Sequence, residues 1–216
     1  MTRTASSNPN ESTGSTKARI LGAAEDVFAE RGFDGSSTRE IAARAQVNIS
    51  SLHYHWASKE TLYLAVFRDV FERIVTHLQT SIAKLVEDHA DRAVIVDVVM
   101  GELFDFFESQ PNITRLLMRR IVDPDVHAAG IEREVLVPAW DVFAAWVGRA
   151  GLGFSDRETR LFMLSLLSVL VVYLLDSPVY RSLLGSSVHE PDMRDAVRRH
   201  IIELVQLLMA RSQPGE

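Results

Sequence analysis

The 216-residue chain has no cysteine. Disulfides and thiolate metal sites are therefore excluded, and the composition fits a reducing cytoplasm. It has no apolar run of the roughly 20 residues that a membrane-spanning helix needs. The longest uncharged stretch, residues 161–175, is 15 residues closed by Arg160 and Asp176, and residues 1–16 lack the apolar segment of a signal peptide. The expectation is a cytoplasmic protein without membrane contact. Proline is sparse, 7 residues against 47% hydrophobic, which suits long helices around a sizeable core. No alternating strand pattern with hairpin turns appears, so the fold class is all-α.

Signatures of catalysis are missing as well. His189-Glu190 has no second histidine three residues on, and neither a G-x-S-x-G elbow nor a P-loop is present. Gly151-Leu152-Gly153 lacks the third glycine of a dinucleotide turn. His53 and His55, two apart on a helix, point about 200° apart and cannot chelate one metal. No enzyme, cofactor or metal is expected. Nor is there a basic excess: the net charge is −6. Residues 1–60 hold 7 basic and 7 acidic side chains, residues 61–216 hold 16 and 22. Nucleic-acid binding by bulk attraction is excluded; any such binding must come from placed groups.

What is present centres on residues 37–59, STREIAARAQVNISSLHYHWASK. Ser37 and Glu40 have the spacing of a reciprocal capping box that starts a helix. Ile41, Ala42 and Ala45 give it an apolar stripe, and Gln46-Val47 form a turn. Asn48 is a good N-cap for a second helix from Ile49 to about His55, with Leu52 directed inward. Two short helices joined this tightly have the spacing of a helix-turn-helix, whose second helix enters the DNA major groove. An ordinary helical hairpin would read the same from spacing alone. The second helix, however, presents Ser50, Ser51, His53, Tyr54 and His55 instead of solubilising lysine and glutamate. Trp56 reads as a core plug that orients it. Upstream, residues 18–31 form an amphipathic helix able to cross the hairpin, with Lys17 and Arg19 near its start placed for phosphate.

Over residues 20–64 the sequence resembles the TetR family of transcriptional regulators. The matching residues are Gly32-Phe33, Ser36-Ser37, Ile41-Ala42, Val47, Leu52, His55-Trp56 and Ser58-Lys59-Glu60. It departs at Gln46, where the family usually has Gly, at His53, where Tyr is usual, and at Ile49, where a polar residue is common. The resemblance implies that Ile49, Ser50, His53 and Tyr54 face base edges and that Ser37, Ser51, His55 and Lys59 meet phosphates. It implies a dimer whose recognition helices address half-sites about 34–36 Å apart, with a larger domain that senses a small molecule. The alternative is a helical ligand-binding or interaction protein without specific DNA binding, favoured only by Gln46, Ile49 and the balanced N-terminal charge.

Three regions are thus expected: a disordered tail over 1–16, a helix-turn-helix domain over 17–60, and a helical ligand-binding and dimerisation domain over 61–216. Helices are expected over about 58–88, 92–109, 113–121, 126–149 with a bend at Pro138, 161–175 and 191–211. Pro111-Asn112 is read as a break, and 177–190 as a surface loop. A helix apolar on all sides, like 161–175, must be covered on all sides. The surplus apolar surface of the last two helices, about 155–176 and 191–211, agrees with a homodimer formed through them. Met100, Leu103, Phe104, Phe107, Leu117, Trp140, Phe143, Trp146, Met163 and Leu167 are the candidates for an apolar effector pocket, with the core as their other possible place. Arg115, Arg119 and Arg120 are either solvated or face an anionic ligand.

Overall fold

The computed structural model describes residues 9–88, 90–122, 130–149 and 154–210. Within them every regular element is helical: α1 Pro9–Arg31, α2 Thr38–Arg44, α3 Ile49–His55, α4 Lys59–Glu87, α5 Arg92–Ser109, α6 Pro111–Val122, α7 Val137–Arg149, α8 Asp156–Leu174, α9 Pro178–Leu184 and α10 Pro191–Ala210. Asp123-Pro124-Asp125, Gly151 and Gly153 lie outside the described residues.

Helix ends follow the local chemistry. Ser37 caps α2 by accepting the Glu40 N–H at 3.2 Å, and Asn48 caps α3 by accepting the Ser51 N–H at 2.7 Å. The box at Ser37 is not reciprocal, because the Glu40 carboxylate turns to Arg31 at 2.9 Å. A full capping box forms instead at Ser155 and Glu158, opening α8. Two expectations fail at prolines. Pro111 and Pro191 each begin a helix, since a first-turn residue needs no N–H partner. Among the described residues α1 is helical from Pro9 onward, inside the stretch read as a tail. Likewise Pro111 separates α5 from α6 only through Gln110, extended at φ −130° and ψ 67°. Pro138 does perturb its helix. The preceding residues, Glu132–Leu136, form one π-helical turn, which accommodates the N–H that proline lacks. The stretch read as a loop after α8 contains α9, capped by Ser177 and closed by Gly185 at φ 77°.

The three N-terminal helices enclose Ile20, Phe28, Ile41 and Leu52, all fully buried, with Trp56 as the plug at 6% exposure. α4 closes this small core from below. Its Tyr63 meets Phe28 edge-on at 4.7 Å and Phe67 at 5.0 Å. The same helix continues through Val70, Ile74 and Leu78 into the larger core formed with α5, α6, α8 and α10. α4 therefore belongs to both halves, and a boundary at residue 60 divides a shared core.

Gln46 carries the α2–α3 turn at φ 55°, a left-handed conformation that costs an L-residue about 1–2 kcal/mol. Arg19 holds this turn by donating to the carbonyls of Ala45 (2.5 Å) and Gln46 (2.8 Å). Although exposed, Arg19, expected at a phosphate, braces the hairpin turn through these two carbonyls. Gln46→Gly removes the strain and adds unfolded-state entropy of up to about 1 kcal/mol. The expected net is a stabilisation of up to about 1 kcal/mol, read as a rise of roughly 2–4 °C in Tm.

Candidate nucleic-acid interface and effector cavity

With Leu52 and Trp56 buried, the opposite face of α3 is fixed outward. Ser50 and His53 are exposed, Ile49 is 37% exposed and Tyr54 81%. His55 is half-buried, its ring 5.2 Å from Tyr54 and 5.7 Å from Trp56. This packing limits the motion of both rings without consuming their polar atoms. Ser51 is half-buried at the helix start, and exposed Ser37 heads α2. Lys17 is exposed, with its ammonium 6.0 Å from the Trp56 ring centre. Seven of the nine residues expected at DNA (Ser37, Ile49, Ser50, Ser51, His53, Tyr54 and His55) thus sit on or beside the hairpin, with Lys17 along its edge.

Lys59 behaves differently. Its ammonium donates to the carbonyls of Phe33 (2.7 Å) and Ser36 (3.2 Å) and lies 4.1 Å from the Phe33 ring centre. Lys59, expected at a phosphate, is here a strut between α4 and the α1–α2 loop, because loop carbonyls lie within reach of its inward-turned side chain. Arg39 is also exposed on α2, two residues from Ser37.

The larger domain holds an apolar cavity that opens to solvent. Nine of the ten candidates line it: Met100, Leu103, Phe107, Leu117, Trp140, Phe143, Trp146, Met163 and Leu167. Phe104 does not. It is fully buried between α5 and α10, with the Arg194 guanidinium 5.9 Å from its ring centre. One wall was missed, the α4 stripe of Phe71, Ile74, Leu78, Ile82 and Leu85. Its spacing of three and four residues is helical, but the charged residues between them gave α4 the look of a connector.

α6 joins cavity and hairpin. Leu117 lines the cavity; two residues on, Arg119 donates to the carbonyls of Ala29 (2.9 Å) and Glu30 (2.6 Å) at the end of α1. Asn112 donates to Asp26 at 2.8 Å. Beside this contact Arg73 links Glu25 of α1 to Gln110, and burial holds the Glu25 carboxyl above the usual carboxylate range against the pull of Arg73. Arg120 is buried and paired with Glu132, and Arg115 donates to Asn112 at 3.2 Å. The three arginines of α6 thus hold protein groups. Arg119→Ala should cost about 1 kcal/mol in urea denaturation and weaken communication between cavity and hairpin.

The family model for bacterial regulatory proteins of the tetR family matches residues 20–66, the region just described. The chain is 29% identical to the HTH-type transcriptional regulator RutR of Escherichia coli K12 over 158 residues, 68% of this chain and 69% of RutR. Residues 20–66 are thus a helix-turn-helix domain of the tetR type. It is also similar to the HTH-type transcriptional activator FasR of Mycolicibacterium smegmatis, 31% identical over 114 residues, 52% of this chain and 50% of FasR. The solved structure of the fatty acid degradation regulator FadR from Bacillus halodurans has the same fold. Its TM-score is 0.66 at 16% identity, covering 93% of this chain and 96% of that one. The protein is a DNA-binding transcriptional regulator with the all-α, two-part architecture of this family. Among the described residues no single helix is long and apolar enough to cross a membrane.

Proposed function

We propose that the protein is a homodimeric repressor that holds a palindromic operator through α3 and releases it when an apolar small molecule enters the cavity. The observation that carries this reading is the outward face of α3. It is rich in hydrogen-bonding and stacking groups yet seated on a rigid core through Leu52 and Trp56. In this reading Ile49, Ser50, His53 and Tyr54 meet base edges, the Tyr54 ring against a thymine methyl or its hydroxyl on phosphate. Ser37, Ser51, His55, Lys17 and Arg39 serve the phosphates. Residues 17–60 act as the reading head and 61–216 as the sensor and dimer platform. Two copies joined through α8 and α10 address both half-sites.

Release follows from differential binding. Effector must favour the form in which the two heads no longer match half-site spacing. FasR is an activator, so operator position relative to the promoter sets the sign, and we propose repression. The alternative without DNA binding loses its main argument, because Gln46 holds the left-handed turn that the hairpin requires.

The test is selection of genomic DNA by the purified protein, followed by fluorescence anisotropy of the recovered site across a salt series. The expected result is one palindrome bound tightly, with a shallow salt dependence from few phosphate contacts, and lower transcription of a reporter behind it. Equal, weak binding to all sequences overturns the operator reading; higher transcription overturns repression alone.

A further inference from the structure

We infer that the effector is a long unbranched aliphatic chain whose polar head stays at the cavity mouth, in water. This rests on the cavity being the effector site and adds the chemical class. The described lining consists entirely of Phe, Ile, Leu, Val, Met and Trp. Among those residues the indole N–H groups of Trp140 and Trp146 are the hydrogen-bonding side-chain groups stronger than a methionine sulfur. A compact polar effector would bury its polar atoms without partners, at a cost that removes its affinity. An alkyl chain has none to bury.

The shape agrees. At one end Ile74, Phe107, Leu117 and Leu170 are buried, forming a closed floor beside α6. At the other, Leu85 and Ile95 line the cavity and are partly exposed where α4 meets α5. From Ile95 to Phe107 the wall of α5 runs about 18 Å at 1.5 Å per residue, the length of an extended chain of about 14 carbons. The chain end would thus press on the floor that contains Leu117, two residues from Arg119 and its hold on α1.

The experiment titrates delipidated protein, without DNA, with saturated fatty acids of 8 to 18 carbons below their micelle concentrations. Trp fluorescence reports binding, and a rigid polycyclic hydrocarbon carrying one hydroxyl serves as the compact comparison. Each added methylene should tighten binding about fourfold up to a limit near 14 carbons. Met100→Trp and Leu167→Trp, each checked for unchanged helical circular dichroism, should shorten that limit by several carbons. Absence of a length trend, tighter binding of the polycyclic compound, or no binding at all overturns the aliphatic class. The first two outcomes leave the cavity an effector site, and operator binding, measured separately, decides whether the regulator reading stands.

Discussion

The double variant His53→Ala, Tyr54→Ala is expected to lose operator binding by on the order of 100-fold or more while remaining folded and dimeric. Each base contact contributes about 1–3 kcal/mol of discrimination, and a two-fold dimer loses every contact twice. Folding should be untouched because both side chains project outward, Tyr54 at 81% exposure, and substitutions at such sites stay within about 0.5 kcal/mol. The loss should be selective: weak binding to unrelated DNA at low salt persists, since the phosphate groups remain. Anisotropy on operator and scrambled duplexes separates the two. An unchanged ratio between them would remove Tyr54 and His53 from the reading head. Leu52→Ala is the contrasting control. Leu52 is fully buried between α1, α2 and α3, so its truncation should lower stability by about 2–5 kcal/mol and abolish binding through unfolding of the hairpin.

The reading head was legible because its signals are local. Ser37, Asn48 and Leu52 each act within one helical turn, and α3 begins and ends where Asn48 and Trp56 place it. α5 and α10 were legible for the same reason, bounded by Ser109-Gln110 and by Pro191. Errors arose where one residue has two local meanings or where a long-range partner decides. Proline both stops and starts helices, and Pro111, read as a stop, starts one. Arg19 and Lys59 are surface cations by sequence. Carbonyls 26 residues away engage them, and nothing in their own neighbourhood announces that. The cavity was legible in nine of ten residues because aromatic and methionine side chains mark space that aliphatic packing does not fill. Phe104 failed because α10 crosses it, a tertiary fact. The α4 wall failed because glutamate, arginine and histidine on its outer face masked a stripe of period 3.6.

The exposed face of α8 and α10, proposed above as the dimer face, yields the second large effect. α8 was expected to be covered on all sides, yet within one chain Leu161 is 58% exposed and Leu164 51%. Just beyond them Ser165 and Ser168 fold their hydroxyls back onto the carbonyls of Leu161 (2.9 Å) and Leu164 (2.7 Å). Their polar atoms are thereby satisfied within the helix, and the face they share with the leucines is effectively apolar. Leu207 and Leu208 on α10 are 64% and 42% exposed. Water is a poor partner for such a surface, whereas a second copy related by a two-fold axis would cover it with the same surface. Because that contact is isologous, Leu164→Glu introduces two carboxylates into one interface and leaves both without partners. Dimer dissociation should become at least about 100-fold easier, read by analytical ultracentrifugation. Operator affinity should fall by about 10²–10⁴, the advantage of binding two linked half-sites, although α3 itself is unaltered. Mixing Leu164→Glu with Leu164→Lys chains should restore part of both. If Leu164→Glu remains dimeric, subunits associate through another surface, and the exposed Val179 and Leu183 of α9 become the next to substitute.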